Sequence, residues 1–293
     1  MITRVTQQTQ ALSAQRNLQT GLAEMARLQE QATSQKKLAR PSDDPVAAAD
    51  AMRVRAGAAA ENQYGRNIDD GNGWLTTIDS ALNSSLNVMH RVRDLVLQGA
   101  SETSSPASRE ALALEIEELR EELLGRANTK YMGRTVFAGT SDAGVAFTED
   151  LSFTGVAGSS VQRRLGPDTA VRVDADGAAI FGEGAGSVFA LLDTVVADLR
   201  GGGKVSNNLD ALDGRMKAMV AVLADVGARH AHIEKADTAH REKVLTLETQ
   251  RSRIEDVDMA EAIMDLQLQE LSYQAALGVT AKVLQPTLMD FLA

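Results

Sequence analysis

Two runs of apolar residues repeat every seven positions and hold their phase over many turns. In the first, Ile68, Leu75, Leu82, Met89 and Val96 recur at that interval, with Ile78 and Val92 on the alternate row. In the second, from about Asn208, Leu212, Met219, Val226, Ile233, His240, Leu247 and Ile254 do the same. A heptad sustained this long suits helices lying nearly parallel, each presenting a stripe to its neighbour. Because the sequence between the runs loses that period, the expected architecture is an antiparallel helical hairpin around an insertion. Aromatic residues are only 3% of the chain against 44% apolar overall, which favours slender helical layers over a thick globule.

The punctuation agrees. Pro41 and Pro45 disfavour helix in the residues before them, and Asp44 ahead of Pro45 reads as an N-cap followed by proline at the first helical position. Asp43 and Asp44 lack a His or Glu at ligand spacing, so capping is the better reading than a metal or acid/base site. From Pro45 to about Ser101 one long helix is expected. Asp69-Asp70-Gly71-Asn72-Gly73 would suggest a turn by composition, yet the heptad stays in phase through it and predicts a continuous helix. After Pro106, Leu112, Ile116, Leu119 and Leu123 form an inward row, and the acids Glu115, Glu117, Glu118, Glu121 and Glu122 read as a solvated face.

Between Arg134 and Gly186, Gly and Thr become frequent and short alternating runs appear around Val136-Phe137, Val145–Phe147, Leu151–Phe153, Val161–Arg163 and Val171–Val173. They predict a small module of β-hairpins, placed outside the helices, in which deletions within about 145–180 would be tolerated. Gly182-Glu183-Gly184-Ala185-Gly186 lacks the Lys-Ser/Thr and flanking βαβ unit of a phosphate loop and reads as a linker. A short helix then carries Val188, Leu191, Val195 and Leu199 and stops at Gly201-Gly202-Gly203.

Both ends are amphipathic. Residues 1–39 place Leu12, Leu18, Leu22, Met25 and Leu28 at helical spacing. At the other end Ile263, Leu266, Tyr273, Leu277, Leu284 and Leu288 form one row, with Met264, Leu268, Leu271 and Ala275 beside it. That face is wider than a two-stranded seam requires. Burying one such row stabilises less than ordering so many residues costs, so the helix is expected to become ordered against the other chain end or other subunits. Pro286 should kink or end it.

Chemistry finds no footing. The formal net charge of −10 argues against nucleic acid and against an anionic membrane. No Cys is present, which excludes disulfides and thiol nucleophiles. His230 and His232 point to different sides of a helix, His240 lies in the apolar row, and no GxSxG, HExxH or supported carboxylate pair occurs. No catalytic residue, metal or cofactor is therefore expected. MITRVTQQTQ lacks the apolar run of a signal peptide, no stretch reaches the length of a membrane span, and any export is expected to be leaderless.

Particular motifs carry a resemblance. Arg40-Pro41-Ser42-Asp43-Asp44-Pro45 with the Ala-rich helix after it, His90-Arg91-Val92-Arg93-Asp94-Leu95, Gly133-Arg134-Thr135-Val136-Phe137-Ala138-Gly139-Thr140, and Tyr273-Gln274-Ala275-Ala276-Leu277 through Thr287-Leu288-Met289-Asp290-Phe291-Leu292 resemble the flagellin superfamily in order and separation, over about 1–140 and 187–293. The resemblance implies a mainly α, elongated antiparallel long-helix bundle with a small β insertion. It divides the chain into an inner helix at 1–40 paired with another at 255–293, rod halves at 41–134 and 187–254, and a variable outer β module at 135–186. It implies that the terminal apolar rows form the assembly interface and that Arg40 to Pro45 connect inner and rod domains.

In function the resemblance implies a subunit at the hook–filament junction, outside the cell, exported through the flagellar secretion system. Its implied partners are hook-associated protein 1, flagellin, copies of itself in a ring, and an export chaperone. A filament-forming flagellin is the alternative, although that pattern usually has Lys-Asp-Asp-Ala where this chain has Pro-Ser-Asp-Asp-Pro. An intracellular coiled-coil adaptor would explain the heptads alone.

Overall fold

Asp44 does cap the long helix. Its Oδ1 accepts hydrogen bonds from the backbone N–H of Val46 at 3.0 Å and Ala47 at 2.9 Å, and α2 (Pro45–Gly99) follows without a break. The structure, a computed structural model, describes residues 2–38, 40–101, 105–156 and 158–284. Ahead of α2 lies α1 (Ile2–Ser34). After it come α3 (Pro106–Ala127), the short strands β1 (Lys130–Tyr131), β2 (Arg134–Thr135), β3 (Gln162–Arg164) and β4 (Ala170–Arg172), then α4 (Gly177–Phe181), α5 (Val188–Gly201), α6 (Leu209–Glu255) and α7 (Met259–Leu284).

Two compact units result. One is Glu61–Lys243, and the described residues of 1–60 and 244–293 form the other. These divisions fall inside α2 and α6, not at 40/41 and 254/255 where the loop and the end of the heptad would put them. What decides is which neighbours pack on the long helices, and the proline loop does not mark that change.

Within Glu61–Lys243 the heptads are the core. Every member of the first run, and Leu212, Met219, Val226 and Ile233 of the second, is 2% exposed or less. Arg93 Nε bonds Asp213 Oδ1 at 2.8 Å, Gly71 faces Ile233 and Gly65 faces His240, so α2 and α6 run antiparallel. The Asp69–Gly73 stretch stays helical because its glycines serve close approach. A Cβ at Gly73 would overlap the Tyr131 hydroxyl, and one at Gly71 would press on Ile233. Asp70 pairs with Arg163, whose guanidinium lies 5.9 Å from the centre of the buried Trp74 ring.

The acids of α3 are engaged rather than simply solvated. Glu115 pairs with Arg91, Glu110 and Glu117 with Arg200 at 2.9 and 2.7 Å, Glu121 with Arg120 and Glu122 with Arg126. Two of these cations reach across from α2 and α5, placing the acids at helix boundaries.

In the β region the short strands pair as two small antiparallel sheets. β1 and β2 pair antiparallel through a two-residue turn in which Met132 (φ 48°) and Gly133 (φ 83°) are both left-handed, the arrangement that suits a tight hairpin. β3 and β4 pair Gln162 with Arg172 and Arg164 with Ala170. This region shares its core with the helices. Phe137, Phe147, Val161, Val173 and Phe181 belong to the same buried cluster as the heptad rows, and Phe147 meets Phe189 of α5 with ring centres 5.3 Å apart. Asn128, just past α3, fastens it: Oδ1 accepts from the N–H of Ala146 at 2.7 Å and Phe147 at 2.9 Å while Nδ2 donates to the Phe147 carbonyl. The few aromatics of the chain are concentrated here.

Candidate functional site

In the unit built from the chain ends, α1 and α7 lie against each other. Gln35, left-handed at φ 58°, ends α1 and turns the chain toward α2. There it meets the α6–α7 connection. Lys37 N–H donates to the Glu255 carbonyl at 2.7 Å and Val257 N–H to the Gln35 carbonyl at 3.2 Å, an antiparallel bridge centred on Lys36 and Asp256. Side chains close the same knot. Lys36 Nζ reaches Asp256 Oδ1 at 2.5 Å and Arg55 Nε reaches Glu255 Oε1 at 2.7 Å. Arg55, hydrogen-bonded to it, holds the buried Glu255 carboxyl below the usual carboxylate range against the opposing effect of burial, with Lys36 adding to the pull.

The connection Arg40-Pro41-Ser42-Asp43-Asp44-Pro45 is exposed throughout. Arg40 N–H donates to Asp43 Oδ2 at 2.9 Å and Asp43 N–H to the Arg40 carbonyl at 3.0 Å, so the loop is a self-bonded turn that delivers Asp44 to its capping position. Asp258 performs the corresponding task for α7, accepting from Ala260 N–H at 2.9 Å.

From these anchors α1 and α7 run antiparallel along a narrow seam. Its less exposed positions on α1 are Ala14, Leu18, Gly21, Met25 and Leu28, and on α7 Ala262, Leu266, Gln269, Tyr273, Ala276 and Thr280. Both sets step alternately by four and three, the spacing of a two-helix stripe. Gly21 makes the approach possible. Gln269 Nε2 donates to its carbonyl at 3.1 Å, and the Tyr273 ring lies 3.4 Å from where its Cβ would stand.

The terminal rows read from the sequence divide between this seam and solvent. Of the residues named there, Leu18, Met25, Leu28, Leu266 and Tyr273 lie on the seam, whereas Leu12, Leu22, Ile263, Leu271 and Leu277 are exposed. The Leu284 side chain and all of Leu288 lie outside the described residues, as does Pro286. Two helices in contact cover one stripe each, so the surplus apolar row of α7 faces away: Met264, Leu268 and Leu271 are 62%, 73% and 68% exposed. Gly21, Gln269 and the Glu255 knot escaped sequence reasoning, since Gln269 and Gly21 are 248 positions apart and no local pattern links them.

Among the described residues no group of three or more His, Asp or Glu is placed to hold a metal, and no helix is long and apolar enough to cross a membrane. What the ends present is an incompletely covered apolar surface. The N-terminal helical region of bacterial flagellin matches residues 5–142 and the C-terminal helical region matches 209–292. Flagellar hook-associated protein 3 of Escherichia coli K12 is 23% identical over 287 residues, spanning 89% of this chain and 90% of that protein. A flagellin of Halalkalibacterium halodurans is 24% identical over 277 residues, spanning 94% and 93%. The crystal structure of Bacillus cereus FlgL shares the fold, with a TM-score of 0.61 at 22% identity over 68% of this chain and 99% of that one. The chain belongs to the flagellin superfamily.

Proposed function

We propose that this chain is a structural subunit of the bacterial flagellum that joins the hook to the flagellin filament. The observation that carries the reading is the likeness to hook-associated protein 3 along nearly the whole length of both chains, in a molecule whose terminal helices leave an apolar row uncovered. The Pro41-Ser42-Asp43-Asp44-Pro45 loop, where filament flagellins usually have Lys-Asp-Asp-Ala, supports the junction over the filament. The full-length likeness to a flagellin favours the filament as the second reading.

On this proposal hook-associated protein 1 is the neighbour on the hook side and flagellin on the filament side. Further copies complete a ring, and an export chaperone covers the ends during leaderless passage through the flagellar secretion system to the cell exterior. The rows on Leu12, Leu22, Ile263, Leu271 and Leu277 are the assembly interface, and Arg40–Pro45 the connection between inner and rod parts. Since the α1–α7 seam buries little, its helices gain most of their stability on incorporation, so folding of the ends is coupled to assembly.

A strain lacking the chain tests the junction reading. The expected result is hooks without filaments and flagellin released to the medium; normal filaments would refute it, and thousands of copies per flagellum would favour flagellin. For the coupling, hydrogen exchange of the soluble chain should show weak protection over 260–284 and strong protection over the heptads. Equal protection of both would refute it.

A further inference from the structure

The same unit holds an open groove. Where α2 and α6 lie side by side near the knot, Asp50, Arg53, Val54, Leu247, Gln250, Arg253 and Ile254 line a depression of about 450 Å³. Its floor is Val54, Leu247 and Ile254, and Arg53 and Arg253 stand at its rim. Arg53 is paired with Asp50, while Arg253 has no ion-pair partner among the described residues. Among the described residues no other element lines the groove.

Resting on the function proposed above, we propose that this groove receives the outward row of α7 from a second copy of the chain. The dimensions agree. Leu247 to Ile254 and Met264 to Leu271 each span seven residues, about 10 Å of helix. The charge agrees as well, because Glu261 borders the Met264–Leu268–Leu271 row, is exposed and forms no ion pair among the described residues, facing a rim that offers Arg253. Groove and row are different surfaces of one molecule. Their contact is therefore head-to-tail, which closes into a ring or continues as a helical array and cannot stop at a symmetric dimer.

The chain has no Cys, so an engineered pair reports this contact cleanly. Full-length chain carrying Gln250→Cys and Leu268→Cys is expressed in place of the natural one, and flagella are isolated and oxidised. The expected result is a ladder of disulfide-linked multimers that either single substitution fails to give, since a disulfide needs Cα atoms within about 7 Å. Presence of the chain in flagella without a ladder, or only a compact cross-linked monomer, overturns the contact and leaves the junction reading standing. Absence of the chain from flagella overturns both.

A charge exchange guards against a trivial folding defect. Arg253→Glu should lower incorporation at least about tenfold, and adding Glu261→Arg should restore it to within about twofold, as expected for facing charges at an interface. Trp74 fluorescence should show an unchanged core transition throughout. Failure of the second substitution to rescue the first, with the core intact, counts against the pairing.

Discussion

The two units are written in the same heptad grammar and end at opposite degrees of completion. In Glu61–Lys243, α2 and α6 are roofed by α3, α5 and the hairpin region, so rows, rings and Trp74 all lie inside one cluster. In the other unit α1 and α7 lie against each other, and large residues such as Leu268 and Leu271 remain in solvent. A helix with a wide apolar face needs at least two neighbours to bury it. The first unit supplies them from its own sequence, and the second has surface left for someone else.

The contrast breaks first if the β region is dispensable. Phe147→Ala removes a ring packed against Phe153, Phe181 and Phe189 and should cost the core about 3–5 kcal/mol, read by urea unfolding through Trp74, the only Trp. Deletions within 145–180 should unfold this unit, the reverse of what the sequence suggested. Asn128→Ala strands the N–H groups of Ala146 and Phe147 and should cost about 2 kcal/mol in the same assay. A change much smaller than that would mean the region is held by its rings alone.

Acid sharpens the comparison at the knot. Glu255 is held below the ordinary carboxylate range by Arg55 and then Lys36, so its contribution is complete above that range and is lost as pH falls through its lowered value. Exchange protection of the Lys37 and Val257 amides should fall on acidification before the core transition moves, and Glu255→Gln should remove that dependence. The smallest effect belongs to the outward row. Leu271→Asp should shift core unfolding by less than about 0.5 kcal/mol yet prevent incorporation into flagella, and a large loss of core stability would show that the row is not free.

Much of the fold was legible because its helices obey a local period. Ile68 through Val96 and Leu212 through Ile233 announce their burial by spacing, and Asp44-Pro45 announces where α2 begins. Less legible was anything fixed by distant partners. Gly71 and Gly73 look like a turn until Ile233 and Tyr131 are seen beside them. The ends showed two apolar rows without showing which would meet the partner helix, because that choice rests on Gly21 admitting Tyr273. The flagellin matches leave 143–208 aside, the stretch that holds most of the Phe rings.

The knot between Lys36 and Asp256 joins positions 220 apart, whereas Glu61–Lys243 is one unbroken stretch. A chain emerging from its N-terminus can therefore finish the inner stretch while α1 still waits for a mate, since α7, the helix it pairs with, is made last. Completion of the end-built unit thus doubles as a proof of length: a copy cut short before α7 would carry a sound middle and still be unable to join its neighbours.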